Sequence, residues 1–253
     1  MSLALRATPL AIGFLTSIAG VWLAAGSSIA APAPSPFLRL TGAEPGDRFG
    51  VSVSAAGDVN GDGFPDVVVG AEWSDADAVN AGRAYVYFGG PGSDDVPDVT
   101  LQVPMVQARA LTGYAVAIAG DLNGDGWKDI AVGSPVSQFM GRVFLYWGGP
   151  SLDAISDRTL SGLRSLEFFG AALAGIGDAT GDGYDDLWVG APRFVPVNAS
   201  TTRVGRGYLF RGGPDADGVV DVTFEARPVG GITSELQFGT SVASAGDVNH
   251  DGF

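Results

Sequence analysis

Cysteine is missing from all 253 positions, histidine occurs once, as His250, and lysine once, as Lys128. The first absence rules out a disulfide framework and any thiolate metal site, although it says nothing decisive about compartment. With one imidazole and no thiol, the usual nucleophile–base pairs have almost nothing to be built from. Basic charge is scarce as well: the net charge is −14 and the arginines are scattered, which argues against a nucleic-acid partner. Charge of either sign is absent from Ala7 to Leu38, preceded only by Arg6. The apolar stretch from about Leu10 to Ala25 ends in GSSIAAPAP, with Ser28 and Ala30 at the small-residue positions of a signal-peptidase site. Residues 1–30 therefore read as a signal peptide cleaved before Ala31, leaving no membrane insertion afterwards. A retained anchor is the alternative, since the stretch approaches the length of a spanning helix. Residues 31–37, APAPSPF, read as a stiff extended spacer.

What the chain has in abundance is glycine, 39 residues, together with 15 prolines and many short apolar runs, a profile that favours an all-β protein with numerous turns. Within it the pattern D-x-[N/T]-G-D-G-x-x-D recurs as DVNGDGFPD from Asp58, DLNGDGWKD from Asp121 and DATGDGYDD from Asp178, with DVNHDGF from Asp247 to Phe253 as a fourth, shorter copy. Acidic or amide side chains at alternate positions, glycine at the sixth for a sharp turn and a carbonyl at the seventh suit a hard, oxygen-seeking cation, and Ca²⁺ is the first expectation. Asp58, Asn60, Asp62 and Asp66 are the expected side-chain ligands of the first loop, with Phe64 contributing its carbonyl. Asp121, Asn123, Asp125, Asp129 and Trp127 are their equivalents in the second, and Asp178, Thr180, Asp182, Tyr184 and Asp186 in the third. Thr180 replaces the side-chain amide there, so a hydroxyl or water must substitute and affinity should fall. The fourth loop contributes Asp247, Asn249, Asp251 and Phe253, with His250 in place of the usual glycine. A helix-loop-helix calcium site would need a bidentate Glu at position twelve, where Val69, Val132 and Val189 stand instead. The loop must close at position nine, just before DVVVG, DIAVG and DLWVG, which read as strands.

These loops hold 12 of the 28 acidic residues. Two carboxylates about 5 Å apart repel by roughly 3 kcal/mol at an effective dielectric near 20, so an empty loop should resist closing until a divalent cation reverses the sign. Paired acids alone can also serve glycoside hydrolysis, but the metal loops already account for these.

The repeat extends beyond the loops, and such a fixed period points to a solenoid or propeller. Gly50, Gly113, Gly170 and Gly239 each precede the first loop Asp by eight residues, and Phe49, Phe169 and Phe238 stand before three of them, with Thr112 before the other. After each complete loop come Gly70-Ala71-Glu72, Gly133-Ser134-Pro135 and Gly190-Ala191-Pro192. Gly82-Arg83, Gly141-Arg142 and Gly205-Arg206 then open aromatic strands ending in GGP, and Asp98, Asp157 and Asp221 begin a fourth strand, D-x-T-[L/F]. Each unit reads as a four-stranded meander, a propeller blade. The aromatic strands belong to core and inter-blade packing rather than to a carbohydrate platform.

Phe-Gly, the D-x-N-G-D-G-x-x-D loop and Gly-Ala-Pro together resemble the FG-GAP repeat of integrin alpha-subunit propellers. The resemblance covers about 49–253, divided near 49–112, 113–169, 170–237 and a truncated 238–253 within a domain of residues 38–253. It implies a seven-bladed ring with calcium in hairpin loops on its lower face, of which this chain would be a fragment of three blades and the start of a fourth. The distance from the opening Gly to the Gly of Gly-Ala-Pro is always 20 residues, whereas the links after strands two and four vary in length. Those links leave the end of the meander opposite the calcium loops, and variable loops on a rigid scaffold are where binding specificity resides. An extracellular protein or glycan is therefore expected to meet that face. Glu72, Trp73, Asp75 and Asp77 in the first link are worth testing as contacts, and Asn198-Ala199-Ser200 is a glycosylation sequon on a variable link. The expected function is an exported, non-catalytic, calcium-binding adhesion module. The rival is the accessory propeller of a secreted enzyme, a phospholipase or a polysaccharide-degrading enzyme.

Overall fold

The computed structural model describes residues 38–197, 202–214, 216–226 and 235–248. The leader, the spacer, the Asn198 sequon and the fourth-loop residues Asn249, His250, Asp251 and Phe253 lie outside the described residues.

The described chain is three blades of a β-propeller, each a four-stranded antiparallel sheet in plain meander order. The first holds β1 (Phe49–Gly57), β2 (Asp66–Ala71), β3 (Arg83–Tyr87) and β4 (Val99–Leu101). The second holds β5 (Ala115–Gly120), β6 (Asp129–Ser134), β7 (Arg142–Tyr146) and β8 (Arg158–Ser161). The third holds β9 (Ala172–Gly175), β10 (Leu187–Ala191), β11 (Arg206–Phe210) and β12 (Val222–Glu225). In the fourth repeat, residues 235–248 contain no extended strand, but Phe238 forms a bridge to Gly205.

The middle blade shows why these strands read as nearly continuous apolar runs: both of its faces are covered. Ile130, Val132, Phe144 and Tyr146 pack toward Val68 and Val86 of the first blade. The alternate residues Ala131, Val143 and Leu145 pack toward Leu187, Val189 and Tyr208 of the third. This is the period-two alternation of a strand with hydrophobic partners on either side. The aromatic strands are buried, as expected of packing residues: Tyr85, Tyr87, Phe144, Tyr146, Tyr208 and Phe210 all lie in the core.

The motif glycines sit where blades touch. A β-carbon placed on Gly70, Gly133 or Gly190 would stand about 2 Å from the carbonyl oxygen of Gly113, Gly170 or Gly239, the opening glycine of the next blade. Gly82, Gly141 and Gly205 meet Thr112, Phe169 and Phe238 in the same way. Phe169 is fully buried against Tyr208 and Phe210, with ring centroids 5.2 and 6.0 Å away. Thr112 replaces that ring contact with a hydroxyl pair, 3.2 Å from Ser134. The residue ahead of each opening pair, namely Arg48, Leu111, Phe168 and Gln237, has a positive φ of 50–64°. The D-x-T aspartates hold the outer strand: Asp98, Asp157 and Asp221 accept the amides of Phe88, Trp147 and Arg211 at 2.7, 2.7 and 2.9 Å. The meander sends the β1–β2, β5–β6 and β9–β10 loops to one end of the blades and the length-variable links to the other.

Candidate metal centre

The first loop is folded by its own acids. Asp58 accepts the amides of Gly61 and Asp62 on Oδ1, at 2.7 and 3.2 Å, and that of Gly63 on Oδ2 at 2.8 Å. Asn60 Oδ1 accepts the Asp62 amide at 3.0 Å, and Asp62 Oδ1 accepts that of Phe64 at 2.8 Å. These short-range bonds are what Asp and Asn offer a tight turn, and the left-handed Gly63, at φ 90°, supplies the sharp bend. The second loop repeats the set, with Asp121 accepting from Gly124 and Gly126 at 2.7 and 2.9 Å and Asp125 from Trp127 at 2.9 Å. In the third, Asp178 accepts from Gly181, Asp182 and Gly183. Burial is the largest single influence on Asp178, but the amide donations of Gly183, Asp182, Gly181 and Thr180 together outweigh it and hold its carboxyl below the ordinary range.

The ninth-position aspartates are different in kind, because they are wholly buried. Asp66 accepts the Val59 amide on one oxygen and the Gly89 amide on the other, at 2.7 and 2.8 Å. Asp129 does the same for Leu122 and Gly148, at 2.8 and 2.9 Å, and Asp186 for Ala179 and Gly212, at 3.0 and 3.1 Å. Burial pushes all three carboxyls upward; the amides pull the other way, and the loop's own Asp neighbours add to the rise. For Asp129 the result is a pKa of about 7.

The donor set fits a hard divalent cation. Each loop presents only oxygen donors, and each ninth carboxylate spends two of about four lone-pair sites on amides, leaving the rest for a ligand. Burial does most to raise Asp66 and Asp129, and the smaller repulsion from their acidic neighbours is what such a cation would reverse. In the third loop Thr180 Oγ1 is buried near Asp186 and lacks a hydrogen-bond partner of good geometry, an orphan acceptor of the kind a metal satisfies. Among the described residues no three acidic, His or Cys side chains stand close enough to enclose an ion in their present positions. The structure thus brings the expected donors of each loop to one hairpin tip, with the first and fifth carboxylates turned to backbone amides. Of the fourth loop only Asp247 lies within the described residues.

The seventh-position aromatics, expected to contribute carbonyls, also have a role for their rings. Trp127 lies on Gly61 of the preceding loop and on Gly149 of its own blade, and Tyr184 lies on Gly124 of the second loop and on Gly212. Asp185, to which the sequence motif assigned no role, ties loop three to loop two. Its Oδ2 accepts the Asp121 amide at 2.8 Å and pairs with Lys128 at 3.1 Å, and its own amide donates to the Asp121 carbonyl at 3.1 Å. The doubled acid at 185–186, where the other loops have Pro65 and Lys128, was the available signal.

On the opposite face, most of the first link proves structural. Glu72 is buried and accepts from Arg48 at 2.6 Å, Arg48 covers one face of the Trp73 ring at 3.8 Å, and Asp75 accepts the Asn80 amide at 2.6 Å. Asp77 pairs bidentately with Arg83, whose hydrogen bonds hold the Asp77 carboxyl below its usual range. The Trp73 ring remains partly exposed, at 42%.

Comparison with known proteins agrees with this geometry. The FG-GAP repeat family matches residues 49–87 and 112–146. The chain thus carries two matched FG-GAP repeats and is similar to integrin alpha subunits. It is 35% identical to integrin alpha-5 of Xenopus laevis over 67% of its length, 34% identical to integrin alpha-PS2 of Drosophila melanogaster over 60%, and 35% identical to integrin alpha-IIb of Mus musculus over 62%. The matched stretch spans 16%, 12% and 16% of those relatives.

Proposed function

We infer that this chain is an exported, calcium-binding propeller module that binds an extracellular protein or glycan and performs no catalysis. The observation that carries the calcium reading is the recurrence, at the same end of three blades, of an acid-rich loop closed by a buried aspartate whose charge burial, and to a lesser degree its acidic neighbours, disfavour. Export is supported by the leader at residues 1–30. The absence of any thiol and the single histidine of the sequence support the non-catalytic reading.

The ligand meets the variable face. There Arg164, Arg193 and Arg203 line a cleft of about 590 Å³ between the links that follow β8 and β10. Among the described residues Arg164 and Arg193 have no ion-pair partner, and the acid of the cleft, Glu167, is turned inward to the Tyr208 hydroxyl at 2.5 Å. Arg193 is steadied flat over Phe168 at 4.0 Å. Adhesion is the function that the similarity to integrin alpha subunits favours.

Calcium is tested by thermal melting. Calcium raises the midpoint and a chelator lowers it, with Asp62→Ala and Asp125→Ala each removing part of the gain; a midpoint indifferent to both additions overturns the reading. Affinity should fall in the range of about 0.1–1 mM common to extracellular modules. Binding of the full chain to immobilised matrix proteins and glycans, lost in Arg193→Glu but kept in Asp75→Ala, places the ligand on the arginine cleft.

A further inference from the structure

The three loops are joined by an unbroken run of short hydrogen bonds. Asp186 holds the Gly212 amide at 3.1 Å, and the next residue, Gly213, donates to the Leu122 carbonyl of loop two at 2.7 Å. The Leu122 amide donates to Asp129 at 2.8 Å, which holds Gly148 at 2.9 Å. Gly149 in turn donates to the Val59 carbonyl of loop one at 2.8 Å, and the Val59 amide donates to Asp66 at 2.7 Å. In the second and third blades the Gly-Gly turn is therefore gripped by its own ninth aspartate on one side and by the preceding loop on the other.

The aromatic rings reinforce the same links. A β-carbon on Gly61 would stand 2.5 Å from the Trp127 ring, and one on Gly124 would stand 2.3 Å from the Tyr184 ring, so neither loop has room to move without its neighbour's ring moving too. The residue that carries each ring also presents the expected metal-binding carbonyl. Ordering loop two around an ion thus fixes the ring that seals loop one, and fixes Asp129, whose Gly-Gly turn holds Val59.

We propose that the loops take up calcium as a coupled set, with Trp127 and Tyr184 as the positioning residues that make occupation of one loop strengthen binding at the loop before it. The proposal rests on the calcium reading above. Its physical basis is that ordering paid at one loop need not be paid again at its neighbour, which gives positive cooperativity without a change of fold. Coupling is reciprocal, so the preceding loop strengthens the following one by the same factor.

The amides of Gly63, Gly126 and Gly183, one in each loop, report occupancy separately in a calcium titration of the full chain followed by NMR. In the unaltered protein the three signals should shift together and more steeply than independent sites allow. In Asp125→Asn, which disables loop two alone, the midpoints at Gly63 and Gly183 should rise on the order of tenfold, within the usual range for coupled sites. Unchanged midpoints at Gly63 and Gly183 overturn the coupling while leaving calcium binding intact, whereas no shift at any glycine in the unaltered protein removes the calcium reading itself. Trp127→Ala keeps every oxygen donor, including the backbone carbonyl, and guards against a misfolded Asp125→Asn. It should raise the Gly63 midpoint more than the Gly183 midpoint, with Trp127→Phe restoring part of the loss. Equal effects at both glycines reject the ring as the link.

Discussion

At the scale of single residues, two glycines of the same repeat separate two causes of constraint. Gly133 faces the Gly170 carbonyl, 2.1 Å from where a β-carbon would stand, so Gly133→Ala must push the second and third blades apart. Overpacking of this kind costs about 1–3 kcal/mol. Gly63 has φ 90° but open space around its missing side chain. Gly63→Ala therefore bears only backbone strain, about 1 kcal/mol, and urea melts in chelator should rank Gly133→Ala as the more damaging. Glu167 offers a test by pH. Burial pushes its carboxyl upward against the Tyr208 hydroxyl, the Arg164 and Leu163 amides and the Arg206 charge. Because the folded value lies above the unfolded one, the stability it contributes is complete below about pH 4.5 and is lost as pH rises through the raised folded value. Glu167→Gln should thus gain stability relative to the unaltered protein between pH 4 and neutrality, and a pH-independent difference in chelator melts would contradict that.

At the scale of the strand and loop, the third acidic loop is the one expected to bind calcium least tightly. Thr180 offers a buried hydroxyl where the others offer an amide. Thr180→Asn should tighten the third site several-fold, read from the Gly183 amide in a calcium titration, and leave the first site nearly unmoved except through coupling. Much at this scale was legible in advance. The β-branched runs after each loop, the closing aspartate at position nine and the four-stranded meander all follow from local chemistry that tertiary packing does not override. The opening turns were not legible: Arg48, Leu111 and Phe168 adopt positive φ although no glycine or asparagine marks them. The local sequence carries no trace of that conformation. The same holds for the first link, where Glu72 and Asp77 looked available for a partner until their arginines were in place.

At the scale of the molecule, the net charge is −14, and 12 of the 28 acids belong to the four candidate metal loops. In chelator, added monovalent salt should stabilise the chain by screening that self-repulsion. In saturating calcium the same salt should do far less, since the ions already neutralise the loops; equal salt slopes in the two conditions would contradict this. The sequence marked the loops but not their connections. Spacing placed Asp66, Asp129 and Asp186 at the foot of their loops, yet the Gly-Gly turns that join each to the next blade were visible only as the ends of aromatic strands.

At these motif positions the next blade supplies the cover: Gly70 and Gly82 are covered by residues near 112–113, Gly133 and Gly141 by residues near 169–170, and Gly190 and Gly205 by residues near 238–239. Each sheet is completed by the one that follows it. A chain made from the N-terminus therefore always carries one raw edge, which moves toward the ribosome with every blade completed. Any pause in synthesis between repeats leaves that edge open to whatever strand is nearest.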